Sequence, residues 1–131
     1  MEFPGITAFY SATLGLVFLG LSVRVVIGRA RFRVSIGDGG QKDLGLRIRS
    51  HANFSEYVPL ALILIALVEM KGYGGWIAHA LGAVLLIARL AHPVGMAMPG
   101  TSPFQRPFRG LGTVGTWLVM AIAAGLLLVP V

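Results

Sequence analysis

The sequence predicts an all-α integral membrane protein, a left-handed, antiparallel four-helix bundle in which every helix crosses the bilayer. Three observations carry that expectation. Of the 131 residues, 56% are hydrophobic and 12% are charged, against about 25% charged in ordinary soluble domains, and the mean hydropathy is +0.80. A bilayer core needs about 20 apolar residues per helix, and four such stretches fit, roughly 6–27, 45–68, 76–96 and 110–129, so that residues 1–131 form one transmembrane domain. The polar segments between them are short, and short connections make successive helices antiparallel neighbours.

The first span, Ile6 to Ile27, follows Met1-Glu2-Phe3-Pro4. That start has no basic n-region, and the arginines come after the apolar stretch, so the span is expected to be retained rather than cleaved as a signal peptide. Ser35-Ile-Gly-Asp-Gly-Gly-Gln-Lys-Asp43, rich in turn formers, leads to the second span, Gly45 to Val68. This span opens on Arg47-Ile-Arg49-Ser-His51-Ala-Asn53-Phe-Ser-Glu56-Tyr57. At about 100° per helical residue, Arg49, Asn53 and Glu56 share one face, while Arg47, His51 and Ser55 lie on roughly the opposite one. A helix polar on two faces near the bilayer must hide both against protein or a wet cavity. The second helix is therefore expected to be shared between two subunits. Pro59 is expected to kink it.

The turn Lys71-Gly-Tyr-Gly-Gly75 precedes the third span, Trp76 to Met96, which carries His79, Arg89 and His92. Met98-Pro-Gly-Thr-Ser-Pro103 leads on toward the fourth, Gly110 to Val129. Gly110-Leu-Gly112-Thr-Val-Gly115 matches a dinucleotide-binding fingerprint as text, but no strand precedes it and an apolar span follows. Close helix contact through small residues is the better account, as for Ala78 with Gly82 and Ala121 with Gly125.

The net charge is +6, and its distribution is informative because Lys and Arg accumulate on the cytoplasmic side of membranes. Arg24, Arg29, Arg31, Arg33, Lys42, Arg47 and Arg49 surround the first connection and Arg89, Arg106 and Arg109 the third; only Lys71 lies elsewhere. Both termini and the Lys71 turn are thus expected to face away from the cytoplasm, with the polar run near the cytoplasmic face, in the inner membrane if the cell is bacterial. The same cluster suits anionic lipid heads. With no cysteine, disulfides, thiolate metal sites and a cysteine nucleophile are excluded. No metal site is expected, because His and carboxylates do not recur at ligand spacing, and no nucleic acid is expected as a partner.

The opening run of the second span resembles the motif of the MAPEG family, the membrane-associated proteins of eicosanoid and glutathione metabolism. Members similar to the leukotriene-forming synthase carry a basic stretch ending the first span, as Gly28-Arg29-Ala-Arg31-Phe-Arg33-Val-Ser35 does here, followed by Arg-x-x-x-Asn-x-x-Glu-Tyr-x-Pro, matched by Arg49, Asn53, Glu56, Tyr57 and Pro59. Ala88-Arg89-Leu90 is similar to the end of the family's third span, and Pro107-Phe-Arg109 to the Pro-x-Arg that opens the fourth in microsomal glutathione transferases. The resemblance implies a homotrimer with glutathione held between subunits near the cytoplasmic face. It implies that Arg49, Asn53, Glu56 and Tyr57 serve one glutathione-binding site, that His51 and Arg29 reach the neighbouring one, that Arg89 and His92 belong to the binding set, and that Arg109 faces the glutathione sulfur as the catalytic residue. Where members with strong activity often have tyrosines at the end of the third span, this chain has His92 and Met96, and Ala30 stands where the leukotriene-forming enzyme has a second arginine.

These residue types suit glutathione, which carries two carboxylates and an amine. Arginines clamp carboxylates bidentately, and Glu56 suits the ammonium. A free thiol has a pKa of about 8.5, and only its thiolate attacks an electrophile; Arg109 at the start of a helix adds a fixed cation to the positive end of the dipole. A lipophilic electrophile reaches the site from the bilayer. Plainer roles fit the same residues: an intramembrane salt bridge for Arg49, Asn53 and Glu56, structural packing for His51 and His92, an interfacial belt position for Tyr57 and a snorkelling Arg89. Two functions follow from these readings: a glutathione transferase, with or without peroxidase activity, or a noncatalytic lipid-binding scaffold. An ion carrier is disfavoured, because the midsections of the spans are apolar.

Overall fold

A computed structural model describes residues 2–130; Met1 and Val131, the ends of the expected domain, lie outside the described residues. Four helices account for most of the chain: α1 (Gly5–Phe32), α2 (Lys42–Met70), α3 (Gly75–Ala97) and α4 (Gln105–Leu128). Among the described residues there is no strand, and all four helices are long and apolar enough to cross a membrane.

Every helix outruns its apolar stretch, because hydropathy marks the lipid-matched part of a helix and not its ends. Arginines are good helix formers, so α1 continues through Arg29 and Arg31 and stops only where Arg33 turns left-handed, at φ 55°. Gly37, Gly39 and Gly40, all at positive φ, then carry the connection. The largest difference is at α4, which begins at Gln105 instead of Gly110. Pro107 falls in its first turn, where a missing N–H costs no helical hydrogen bond. Arg109 consequently lies one turn inside the helix and not at its start. Both Pro59 and Pro93 sit inside helices that run on through them.

α2 and α3 form the centre of the bundle: α1 packs on both, α4 packs on both, and α1 and α4 do not touch among the described residues. Leu14, Phe54, Ala61, Ile65, Leu85, Val119 and Ala123 make the buried core. The outer surface is apolar too, with Leu16, Ile63, Ile87 and Leu118 exposed on the four helices, as lipid contact requires. The small residues divide sharply. A Cβ on Gly82 would lie 2.3 Å from the Tyr10 ring and one on Gly112 would lie 2.4 Å from the His92 Cβ, whereas Gly110 and Gly125 face open space. Gly82 and Gly112 are thus contact points between helices of one chain, and Gly125 is not.

Candidate functional site

The polar run occupies the first four turns of α2, as its periodicity requires. Arg49 and Glu56, two turns apart, form a two-pronged ion pair with Nη1 to Oε1 at 3.1 Å and Nη2 to Oε2 at 3.3 Å. Their side chains are 59% and 47% exposed. Solvent-exposed pairs of this kind contribute only about 0–1 kcal/mol, so the pair opens at little cost. Asn53, between them on the same face, is buried and accepts a 2.8 Å hydrogen bond on Oδ1 from Arg89 Nη1. An arginine only donates, which fixes the amide orientation: the oxygen faces Arg89, and the NH2 group makes no hydrogen bond among the described residues.

Arg89 anchors this arrangement. It is 1% exposed, and its second amino group donates to the carbonyl of Gly112 in α4. Thr116 Oγ1 donates to the same carbonyl at 2.8 Å. Among the described residues no carboxylate pairs with the buried guanidinium, and its Nε has no partner. A buried charge in this state is expensive, so its retention points to a specific duty. Geometrically, that duty is to join α2, α3 and α4 through one side chain. Gly112 makes the contact possible, since an added Cβ would meet the His92 Cβ and lie 3.0 Å from the Ala88 carbonyl oxygen. His92 is therefore buried on the α3–α4 seam directly beside the acceptor of Arg89.

The opposite face of α2 is covered differently from the sequence-based expectation. His51 Nε2 lies 3.1 Å from Ser22 Oγ, and its ring stacks on Phe18 at 4.6 Å. Arg47 pairs with Asp43 at 3.0 Å and donates to the Arg24 carbonyl at 3.2 Å. Both side chains find partners on or beside α1 of the same chain, so this face does not require a second subunit. Arg29, expected to act beside His51, donates instead to the carbonyls of Ser35 and Gly37 at 3.1 and 2.9 Å, closing the loop after α1. Tyr57 is half-buried, and Arg109 is exposed on α4; neither side chain has a hydrogen-bond or ion-pair partner among the described residues. The Arg109 backbone is held tightly, because a Cβ on Gly95 would come within 2.7 Å of its nitrogen.

The structure thus pairs Arg49 with Glu56 and Asn53 with Arg89 on one face of α2, seats His92 beside the acceptor of Arg89, and turns Arg29 and His51 toward the α1 side. Sequence reasoning missed Ser22 and the Gly112 carbonyl, neither of which has a sequence signature. It also missed Glu69, for which a signal existed. A carboxylate in the last turn of its own helix opposes the dipole, which implies a partner elsewhere. Glu69 indeed accepts from the backbone N–H groups of Ile6 and Thr7 and from the Thr7 hydroxyl, at 2.7–2.9 Å. Among the described residues no group of His, Asp and Glu is placed to hold a metal ion.

Four membrane-length helices with an ionic site in the first turns of the second define a small polytopic membrane protein of bundle type. Its family is shown by comparison: the model of the MAPEG family matches residues 7–129, and the chain belongs to that family. The chain is similar to the inner membrane protein YecN of Escherichia coli K12, 36% identical over 129 residues that cover 95% of this chain and 93% of YecN. YecN of an Escherichia coli O6:H1 strain matches to the same extent.

Proposed function

We propose that the protein is a membrane-bound glutathione transferase. It works as a homotrimer, holds glutathione between subunits near the cytoplasmic face with both termini on the other side, and presents the thiolate to lipophilic electrophiles from the bilayer. The observation that carries this reading is the exposed Arg49–Glu56 pair with Asn53 fixed between its members by Arg89. A peptide with two carboxylates and an ammonium can exchange into it. Arg49 leaves Glu56 for a carboxylate, Glu56 takes the ammonium, and the free NH2 of Asn53 donates to a peptide carbonyl. Two charge-assisted contacts and one neutral hydrogen bond replace one weak pair, and the charged contacts are worth more where water is scarce.

Arg89 remains on Asn53 throughout and acts as a positioning residue. Arg109, exposed and unpaired among the described residues, supplies the fixed positive charge that favours the thiolate, and it does so mainly through its guanidinium, because α4 begins a turn earlier. The sulfur lone pair forms the new S–C bond at the electrophilic carbon. The displaced electron pair leaves with the leaving group, or moves to the adjacent atom and takes a proton from water. The scaffold reading predicts glutathione or lipid binding without this step.

Calorimetric titration of glutathione into detergent-purified protein, beside glutathione lacking its glycine carboxylate, tests the reading. Arg49→Ala is expected to weaken binding by about 1.5–3 kcal/mol, the worth of a hydrogen bond to a charged group. Arg109→Ala should leave binding in place and reduce the ultraviolet absorbance of bound thiolate together with kcat. If wild-type protein binds glutathione yet shows neither thiolate nor turnover with several electrophiles, the scaffold reading replaces this one.

A further inference from the structure

Between α1 and α3 runs a groove of about 620 Å³, on the flank away from α4. Its walls follow the same spacing on both helices: Val17, Gly20, Leu21 and Arg24 on one, Leu90, Pro93, Val94 and Ala97 on the other. Both sets are i, i+3, i+4, i+7, one continuous face of each helix. Gly20 opens directly onto this space, since a Cβ there would touch nothing within 4 Å. Apart from Arg24, all these lining residues are apolar.

Arg24 lies at the end of the groove nearest the 33–41 connection. Its carbonyl is used by Arg47, but its guanidinium makes no hydrogen bond, ion pair or ring contact among the described residues. Within the chain no carboxylate pairs with it among the described residues. Of the five acidic residues, Asp43 is paired with Arg47 and Glu56 with Arg49, Glu69 caps α1, Asp38 accepts from the nitrogen of Gly40 in its own loop, and Glu2 precedes the far end of α1. The Arg24 guanidinium is thus left open to an anion from outside the chain. Basic positions between membrane helices bind the head groups of anionic lipids, and an apolar channel running from such a cation along the helices suits an acyl chain.

We propose that this groove is a binding site for an anionic phospholipid, with one acyl chain along Gly20 and Val94 and the phosphate on Arg24. It is separate from the ionic site on α2 and does not depend on glutathione binding there.

The test uses delipidated full-length protein in detergent, exposed to phosphatidylglycerol or phosphatidylcholine, with retained lipid counted by native mass spectrometry. Wild type should retain phosphatidylglycerol preferentially. Arg24→Gln should lower that retention about fivefold, the effect of one basic residue at a membrane surface, and leave phosphatidylcholine unchanged. Gly20→Leu, which fills the groove from an open position, should displace the lipid while circular dichroism confirms an unchanged helix content; if that variant misfolds, Arg24→Gln decides alone. Equal retention of both lipids by wild type overturns the proposal, as does Arg24→Gln behaving like wild type. Displacement of the lipid by inorganic phosphate would show an anion site without a chain-binding groove. A Leu90→Cys variant, in a chain with no other cysteine, should form no disulfide-linked dimer on oxidation; efficient disulfide cross-linking between copies would assign the groove to a subunit interface and overturn the lipid.

Discussion

The two ends of the bundle hold their charges in opposite ways. At the end formed by the 71–74 turn, Glu69 and Lys71 are both spent on backbone. Glu69 takes the N–H groups that open α1, which Pro4 at its N-cap leaves without a side-chain cap. Lys71 donates to the carbonyls of Leu126 and Leu127, each at 3.1 Å, and of Val129, and Tyr73 adds a 2.9 Å bond to Leu126. A carboxylate at a helix start and an ammonium at a helix end each complement the macrodipole. At the other end, Arg49 and Glu56 satisfy only one another and remain exposed. Near a membrane, unsatisfied helix ends are costly, so charges that cover them are structural. Charges that can exchange partners are available for a ligand.

The largest effect that would sharpen this contrast is on Glu69. Its replacement by alanine removes three hydrogen bonds to a carboxylate and leaves two N–H groups of α1 without a partner. About 3 kcal/mol of stability should be lost, since bonds to charged groups contribute about 1.5–3 kcal/mol each and are not additive. Thermal unfolding in detergent measures it. A loss below about 0.5 kcal/mol, the range of an ordinary surface change, would remove the distinction between the two ends.

Gly112→Ala comes next, because it strikes the support beneath the exchangeable pair. Its Cβ would meet the His92 Cβ at 2.4 Å and the His92 Cα at 2.9 Å, atoms that cannot swing aside, so α4 must move from α3. Overpacking of this kind costs about 1–3 kcal/mol. The same shift pulls the Gly112 carbonyl from Arg89 and loosens Asn53, so glutathione binding should weaken along with stability. Gly110→Ala is the control: with open space around it, it should be neutral or stabilise by up to about 1 kcal/mol through helix propensity. Equal melting temperatures for the two variants would mean that the α3–α4 contact is not what holds Arg89.

What could be read in the sequence follows the same division. The four spans were legible because hydropathy reports the apolar length, and the helix ends were not, because polar helix formers extend the helix beyond it: α4 gained Gln105 to Arg109 in this way. The Arg49–Asn53–Glu56 face was legible from helical spacing alone, since those residues share one element. The partnership of Asn53 with Arg89 depends on the register between α2 and α3, which no local pattern contains. The two-faced character of α2 was legible as periodicity, whereas the partners that its second face finds within the chain were not. Ser22 and a backbone carbonyl of α1 satisfy it within the chain, and carbonyls are present at every position whatever the sequence.

The smallest stability effect is expected at Glu56, and it is the sharpest test of the comparison. Glu56→Gln keeps the shape of the side chain and removes the charge that Arg49 faces. With 59% and 47% of the two side chains exposed, water replaces most of what the pair loses, and the stability change should stay within about 0.5 kcal/mol. Glutathione affinity should fall much further, because a neutral amide cannot take the ligand's ammonium as a carboxylate does, and the deficit should shrink as added salt screens the wild-type site. Melting and calorimetry on one preparation separate the outcomes. A melting loss approaching that of Glu69→Ala would make the exposed pair a structural clamp, like the charges at the opposite end. Unchanged melting with unchanged binding would leave the pair with neither role and refute the assignment of the ammonium to Glu56.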